Sequence, residues 1–462
     1  MIFHRSCRFT TFTLPAPETL VMTPSTPYEV RCPLHGTIPF QPRERALMDH
    51  PLVQRLRSIS QLGFASLVYP GATHSRFTHA LGVMHLAGKV FDQIAARSPL
   101  ADMYTPAELA EFRQVVRVAG LLHDAGHFPF SHAFEPLLPL KHQVGLPPQW
   151  FPPGYIQGQA NHEDYSVAAV YRLATETPAL LSMEEAQDAS SLIHQEVIPS
   201  PRLTGRPGVP AIHPLLRGIV SGEIDADRMD YLRRDSHYAG VSYGLFDLDR
   251  LIQGMGAAVL GDRLVMTLRQ SSVYAYENFL MARFHMAMQV YFHKTILPFD
   301  HYLRRAVETK EISFPLEGME GLLAAREDTV GHLLFQARQK PWAGKIVRRV
   351  TMPRLIRLDA HHPEAARQAM LHALEAANIP FLRLTEERRL SSLGEQDPAM
   401  GYLYVEEQVL NRTLLHPLSR ASQLLQHYNH TFRIDHIHCD QENLAKAESL
   451  IRPILDHLPV PS

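Results

Sequence analysis

Cysteine is scarce. Cys7, Cys32 and Cys439 are the only three in 462 residues, they stand far apart, and no CxxC pair occurs. Neither a disulfide framework nor a thiolate zinc site is therefore expected, and a reducing, cytoplasmic setting fits best. No apolar run reaches the roughly 18 residues that a helical bilayer span requires, so a membrane is not an expected partner. Charge of either sign is lacking in excess: 45 basic against 47 acidic residues leave a formal net charge of -2. Nucleic acid is thus not the composition's first suggestion. Internal repeats and low-complexity tracts are also missing, which excludes solenoid architectures. Histidine, in contrast, is plentiful at 27. Imidazole is the commonest metal ligand and titrates near neutrality, and several of these histidines adjoin carboxylates.

The length exceeds one ordinary core and predicts a large principal domain carrying smaller lobes. Residues 1–27 hold arginines, then Ser, Thr and Pro, with no continuous apolar stretch of the secretory kind. They read as a disordered extension, with Met22 an alternative start. Over 28–310 apolar residues recur at helical spacing between Pro- and Gly-containing loops, which predicts helices at about 45–62, 76–97, 106–123, 162–175 and 274–291. The remainder, 311–462, reads as a helical continuation and a small α/β lobe, with short strands expected at about 381–384, 402–405 and 431–434. The fold class is mainly α.

Chemistry concentrates where an apolar helix ends in Leu121-Leu122-His123-Asp124-Ala125-Gly126-His127. Adjacent ligands converge only where helical geometry gives way, as it does before a glycine. A neutral imidazole and a carboxylate together suit Mn, Fe, Zn or Ni, although a lone His-Asp pair is equally a hydrogen-bonded helix end. Upstream, Arg76 and His79 lie one turn apart on a helix. Downstream, the run from Asp225 to Asp235 puts Asp227, Asp230, Tyr231, Arg234 and Asp235 on one helical side. A solvated charged face explains the alternating signs there, but not an aromatic and three acids together.

These elements, with Pro33-Leu34-His35-Gly36, Gln54-Arg55-Leu56-Arg57, the run from Tyr69 to His79, Gly126 to His132, and His162-Glu163, together resemble the HD-domain deoxynucleoside triphosphate triphosphohydrolases. That family includes the vertebrate SAM-and-HD-domain proteins and bacterial relatives. The resemblance covers Pro33 to about Lys310, with no comparable match in the C-terminal lobe. It implies a helical HD phosphohydrolase core that hydrolyses dNTPs to deoxynucleoside and triphosphate. It implies that His79, His123, Asp124 and Asp227 hold a divalent transition metal, with Mg accompanying the nucleotide. Two imidazoles and two carboxylates leave positions for water and a phosphate oxygen.

The same resemblance makes His132 the acid for the departing 5′-oxygen, with Glu135 one turn away to orient it. His127 and His162 match positions near the phosphates, where a structural histidine is the alternative. Arg76, Arg228, Arg283 and Lys294 are the expected phosphate cations, and Tyr231, Asp235 and Tyr291 the positions near the sugar. Without the motif match, core packing of the aromatics and snorkelling of the cations would be preferred. Asp49, Gln54 and Arg57 resemble an activator site for dGTP, with an ordinary structural role on a packing helix, where Arg57 lies i+3 from Gln54, as the alternative; Arg31-Cys32 replaces the Asn-Asp pair expected before the Pro-Leu-His-Gly run. A homo-oligomer, with a tetramer favoured, is implied as well. Two further readings stay open. One is an HD phosphohydrolase or nuclease acting on another nucleotide or single-stranded nucleic acid; the other is a sensing module without turnover.

Overall fold

A computed structural model describes residues 28–360, 362–391, 403–410, 412–429 and 431–456, with the side chains of His132 and Arg388 excepted. The expected extension at 1–27 lies outside the described residues. The architecture is mainly helical, built on the 22-residue helix Arg76–Arg97, which packs against Pro106–Leu122 on one side and Ala226–Ala239 on another. Most of that helix is buried, because apolar residues occupy more than one face.

Its neighbours start where the sequence supplies caps. Thr105 Oγ1 accepts from Glu108 N at 3.3 Å while Glu108 reaches back to Thr105 N at 2.8 Å. Asn161 and Asp164 form the same reciprocal box before the His162–Glu176 helix. Asp225 accepts from Arg228 N at 2.7 Å to open Ala226–Ala239. Each box satisfies amide groups that the first helical turn leaves unbonded.

Two expected helices differ. The stretch at 45–62 is broken into Pro42–Met48, Pro51–Gln54 and the 3-10 turn Arg55–Ser58. Pro51 has no N–H to give, and His50 before it is extended at φ -67° and ψ 141°. The helix expected at 274–291 runs as Val273–Met286 and then widens into a π turn over Ala287–Tyr291.

Two hairpins interrupt the helical region. Tyr28–Cys32 pairs with Gly36–Phe40, and Met255–Leu260 pairs with Arg263–Arg269. The second is extended by Tyr404–Val409, parallel to Arg263–Arg269, and then by Arg412–Pro417. Strands from both sides of the expected boundary at 310 therefore share one sheet. The α/β lobe has its own antiparallel sheet, with Thr431–Cys439 between Arg354–Leu358 and Phe381–Arg389. The helices Glu364–Ala376 and Leu444–Asp456 contribute to a separate small core with it. Tyr402 of the expected strand at 402–405 lies outside the described residues. Among the described residues no helix is long and apolar enough to cross a membrane.

Glu44 ties the first helix to the bundle. Its carboxylate accepts from Arg117 Nε at 2.5 Å and Nη2 at 2.8 Å, and only 1% of the residue is exposed. Burial favours the neutral acid, but the bonds to Arg117 and its charge outweigh that and hold the carboxyl below its ordinary range. A depressed folded pKa contributes stability above the unfolded value, near 4.3, and loses it as pH falls through the folded value. Glu44→Gln is expected to cost about 3 kcal/mol at neutral pH by stranding the Arg117 charge. The gap from wild type should close below about pH 4. Urea melts across pH check both parts.

Candidate metal centre

The Pro106–Leu122 helix ends at His123, and the chain then turns, with Ala125 N donating to Leu122 O at 3.0 Å and His127 N to Asp124 O at 3.1 Å. This departure from helical geometry lets consecutive His123 and Asp124 face the same point. The ligand atoms of His79, His123 and Asp124 lie within 4.8 Å of one another, all buried. Asp227, half-buried on the first turn of its helix, brings Oδ1 to 3.0 Å from His79 Nε2 and 3.5 Å from His123 Nε2. Four side chains from three helices or their ends thus converge.

The hydrogen bonds around the cluster assign the imidazole protons. His79 Nδ1 donates to Asp230 Oδ2 at 2.8 Å, and His123 Nδ1 donates to the Gly120 carbonyl at 2.9 Å. Both Nε2 atoms therefore present lone pairs toward carboxylate oxygens, and His123 Nε2 is buried with no hydrogen-bond partner. Such an arrangement is repulsive unless a proton or a cation lies between. With protons alone, burial opposes the His79 imidazolium, yet bonds to Asp227 and Asp230 and their charges push its pKa up to about 10. Two imidazole nitrogens and two carboxylates fit a divalent transition metal in the same place.

A further layer stands behind His79. Asp230 is fully buried and accepts from His79 Nδ1, from His35 Nε2 at 2.6 Å, and from Arg234 Nε at 2.7 Å and Nη2 at 2.8 Å. The helices come close enough for this only because residue 82 is glycine: a Cβ there would lie 1.9 Å from Asp230 Oδ1. Sequence reasoning placed Asp230 on the right helical side without assigning it a task, and its signal was the three-residue spacing from Asp227. Partners of this kind fix ligand orientation. Asp230→Asn is expected to weaken Mn binding about 10- to 100-fold in a competition titration. It should also destabilise the chain by stranding Arg234.

Asp124 also accepts from Arg76 Nη1 at 2.5 Å, and Arg76 Nη2 donates to Ser131 Oγ at 2.8 Å. The cluster opens on a cavity of about 570 Å³ whose walls include Arg76, His127, Glu135, His162, Tyr231 and Tyr291. Asp235 also lines it, accepting from Tyr291 Oη at 2.9 Å and from His74 Nε2 at 2.8 Å. Asp300 and, from the α/β lobe, Glu386 add carboxylates that sequence reasoning missed, since neither belongs to a recognisable motif.

Glu135 has a partner from another helix. Its carboxylate is hydrogen-bonded to His162 Nδ1, and His162 stacks on His127 with ring centroids 4.1 Å apart. The Ser131–Leu137 segment is a 3-10 helix, in which residues three apart, such as 132 and 135, share a side. The His132 side chain lies outside the described residues. Burial opposes the His162 imidazolium, but the Glu135 bond outweighs it and raises its pKa. Burial and the Arg76 charge hold His127 well below its ordinary value.

Three of the four expected phosphate cations do not line the cavity. Arg228 is engaged by Asp225 and the Gly222 carbonyl. Arg283 Nη1 lies 3.9 Å from Glu223 Oε1. Lys294 is exposed, because the π turn shifts the register and the helix ends before it reaches the Arg283–Tyr291 face. Asp49, Gln54 and Arg57 also lie away from the cavity: Asp49 Oδ2 is 3.5 Å from Arg45 Nε, Gln54 donates to Met48 O at 2.8 Å, and Arg57 donates to Gln54 Oε1 at 2.8 Å.

The HD domain family matches residues 76–234, a span that contains all four converging side chains. The chain contains an HD domain. Deoxynucleoside triphosphate triphosphohydrolase SAMHD1 of Gallus gallus is 32% identical over 309 residues, covering 63% of this chain and 47% of that protein. The protein YwfO of Bacillus subtilis is 35% identical over 240 residues, 52% of this chain and 46% of its own. The chain spans about half the length of the curated relatives it matches. The crystal structure of a hypothetical protein from Aquifex aeolicus superposes with a TM-score of 0.70 at 27% identity, covering 92% of this chain and 100% of that one. A phosphohydrolase from Bacteroides thetaiotaomicron, at 23% identity and a TM-score of 0.64, covers 90% of this chain and 100% of its own and shares the fold. HD domains are metal-dependent, and the buried His-His-Asp group lies inside this one.

Proposed function

We propose that this HD-domain protein is a metal-dependent phosphohydrolase that cleaves dNTPs at the α-phosphorus, releasing deoxynucleoside and intact triphosphate. The observation that carries the reading is the convergence of His79, His123, Asp124 and Asp227, with the buried Nε2 of His123 left without a hydrogen-bond partner. These four residues would hold the metal, Mn, Fe, Zn or Ni, with Mg accompanying the nucleotide. When bound, the metal lowers the pKa of water and draws charge from a phosphate oxygen.

The chain's own residues supply the remaining tasks. Arg76 reaches both Asp124 and the cavity, where its guanidinium meets negative charge on a phosphate. Asp235, held by His74 and Tyr291, has the chemistry to accept from a sugar hydroxyl, and the Tyr231 and Tyr291 rings restrict the space beside it, favouring deoxyribose. The Glu135 carboxylate favours the imidazolium form of His162 at the cavity wall, a form suited to phosphate oxygens. His132 remains the residue assigned to protonate the departing 5′-oxygen.

Purified protein incubated with each dNTP and Mn or Mg, with products separated by anion exchange, tests the reading. Deoxynucleoside plus triphosphate is the expected result. Inorganic phosphate, or shortened oligonucleotides from a single-stranded substrate, would replace it with the alternative reading. Acceleration of the other dNTPs by added dGTP is expected if Asp49, Gln54 and Arg57 form an activator site.

A further inference from the structure

We infer that Glu327, from a helix outside both the family match and the Pro33–Lys310 motif region, is a positioning residue for the centre. It opens the helix Glu327–Gln336, and its Oε1 accepts from three donors: Ser60 N at 2.9 Å, Ser60 Oγ at 2.6 Å and Phe130 N at 3.1 Å. What it holds is a strained turn. Phe130 and Ser131 are consecutive non-glycine residues in the left-handed region, each at φ 57°. Such a conformation persists only where the surroundings over-determine it, and it concentrates at functional sites.

The strain has a geometric result. Ser131 Oγ donates to the Gln61 carbonyl at 3.1 Å and accepts from Arg76 Nη2 at 2.8 Å, while Arg76 Nη1 is bonded to Asp124 at 2.5 Å. The same turn leads into the 3-10 helix that carries Glu135. A continuous chain of hydrogen bonds thus runs from Glu327 through Ser60 and Phe130–Ser131 to Arg76 and Asp124. The neighbouring Ala325 carbonyl anchors it a second time. Arg55, fully buried, donates there at 3.1 Å and also to the carbonyls of Ala125 at 2.9 Å and His127 at 2.7 Å, the two residues flanking Gly126. Residues 325–327 therefore grip both loops that shape the centre.

All three donors to Glu327 need only an acceptor oxygen, so Glu327→Gln should preserve the turn and Glu327→Ala should release it. The structural arm uses amide hydrogen exchange on the full chain. E327A is expected to speed exchange across Phe128–Glu135 with the rest of the bundle unchanged, and E327Q to follow wild type. The kinetic arm rests on the proposed hydrolysis. There E327A is expected to lower kcat about 10- to 100-fold, as misplacement by an ångström does, with KM nearly constant and kcat recovered in E327Q. Unchanged exchange in E327A, equal damage in E327Q, or wild-type kcat in E327A overturns the inference. A wild-type protein that releases no triphosphate overturns the proposed reaction and leaves the exchange result to decide the role of Glu327.

Discussion

Asp227→Ala is expected to lose its metal and about three orders of magnitude of turnover while keeping its fold. The direction follows from what the carboxylate touches. Its Oδ1 lies within 3.0 Å of His79 Nε2 and 3.5 Å of His123 Nε2, and the residue is half-buried, contributing no apolar surface to the core. The other three side chains proposed as ligands are held independently, His79 by Asp230, His123 by the Gly120 carbonyl and Asp124 by Arg76. Truncation therefore removes one ligand and leaves the frame. A bound cation contributes several kcal/mol of transition-state stabilisation, which corresponds to about 10³-fold in rate. Metal content by mass spectrometry, far-ultraviolet circular dichroism and dNTP turnover on one preparation check the three parts. Full activity in D227A would remove Asp227 from the ligand set, and loss of helical signal would make its role structural.

The contrast between Asp227 and Arg228 shows what the sequence conveys and what it withholds. Helical spacing alone predicts that Asp227, Asp230, Tyr231, Arg234 and Asp235 share a side, and the Ala226–Ala239 helix presents them to the His79 helix, the cavity or the core between. Local rules suffice there, because the cap at Asp225 and the 3.6-residue period are both short-range. The side chain of Arg228 has the right charge, but its destination is decided by competition between a phosphate and two acceptors already in place, Asp225 and Gly222. Charge does not reveal which wins. Lys294 stands outside the cavity lining for a different reason: one π turn shifts the register, and nothing in Ala287–Tyr291 announces it. The Met255–Arg269 hairpin is equally hidden, since a short apolar run fits strand or helix until its partners from residues 404–417 are known. Glu135 with His162, and Glu327 with Ser60 and Phe130, pair across long stretches of chain, so no spacing rule reaches them.

Gly126→Ala should be among the most damaging single-methyl additions available in this chain. A Cβ at residue 126 would lie 2.2 Å from the His162 carbonyl oxygen, 2.3 Å from Ser166 N and 2.7 Å from the Tyr165 carbonyl carbon. All three are backbone atoms of one helix, so no side-chain rotation relieves the overlap, and the helix must move away from the loop. That movement breaks the bonds joining them: Gly126 N donates to Ser166 Oγ at 2.9 Å, and Ser166 Oγ donates to the His123 carbonyl at 2.6 Å. It also carries His162 away from Glu135 and His127. Overpacking that cannot relax costs about 3 kcal/mol, and displacement of the His123 backbone should lower turnover about 100-fold at the same time. Gly331→Ala supplies the opposite sign. Residue 331 lies within the Glu327–Gln336 helix with nothing within 4 Å of the added methyl, so the change should stabilise by about 0.5–1 kcal/mol through helix propensity alone. Urea midpoints for the two variants, measured beside wild type, decide the matter: a G126A protein as stable as G331A would mean that the loop bearing His123 and Asp124 does not rest on the His162 helix, and the geometry of the centre would have to be redrawn.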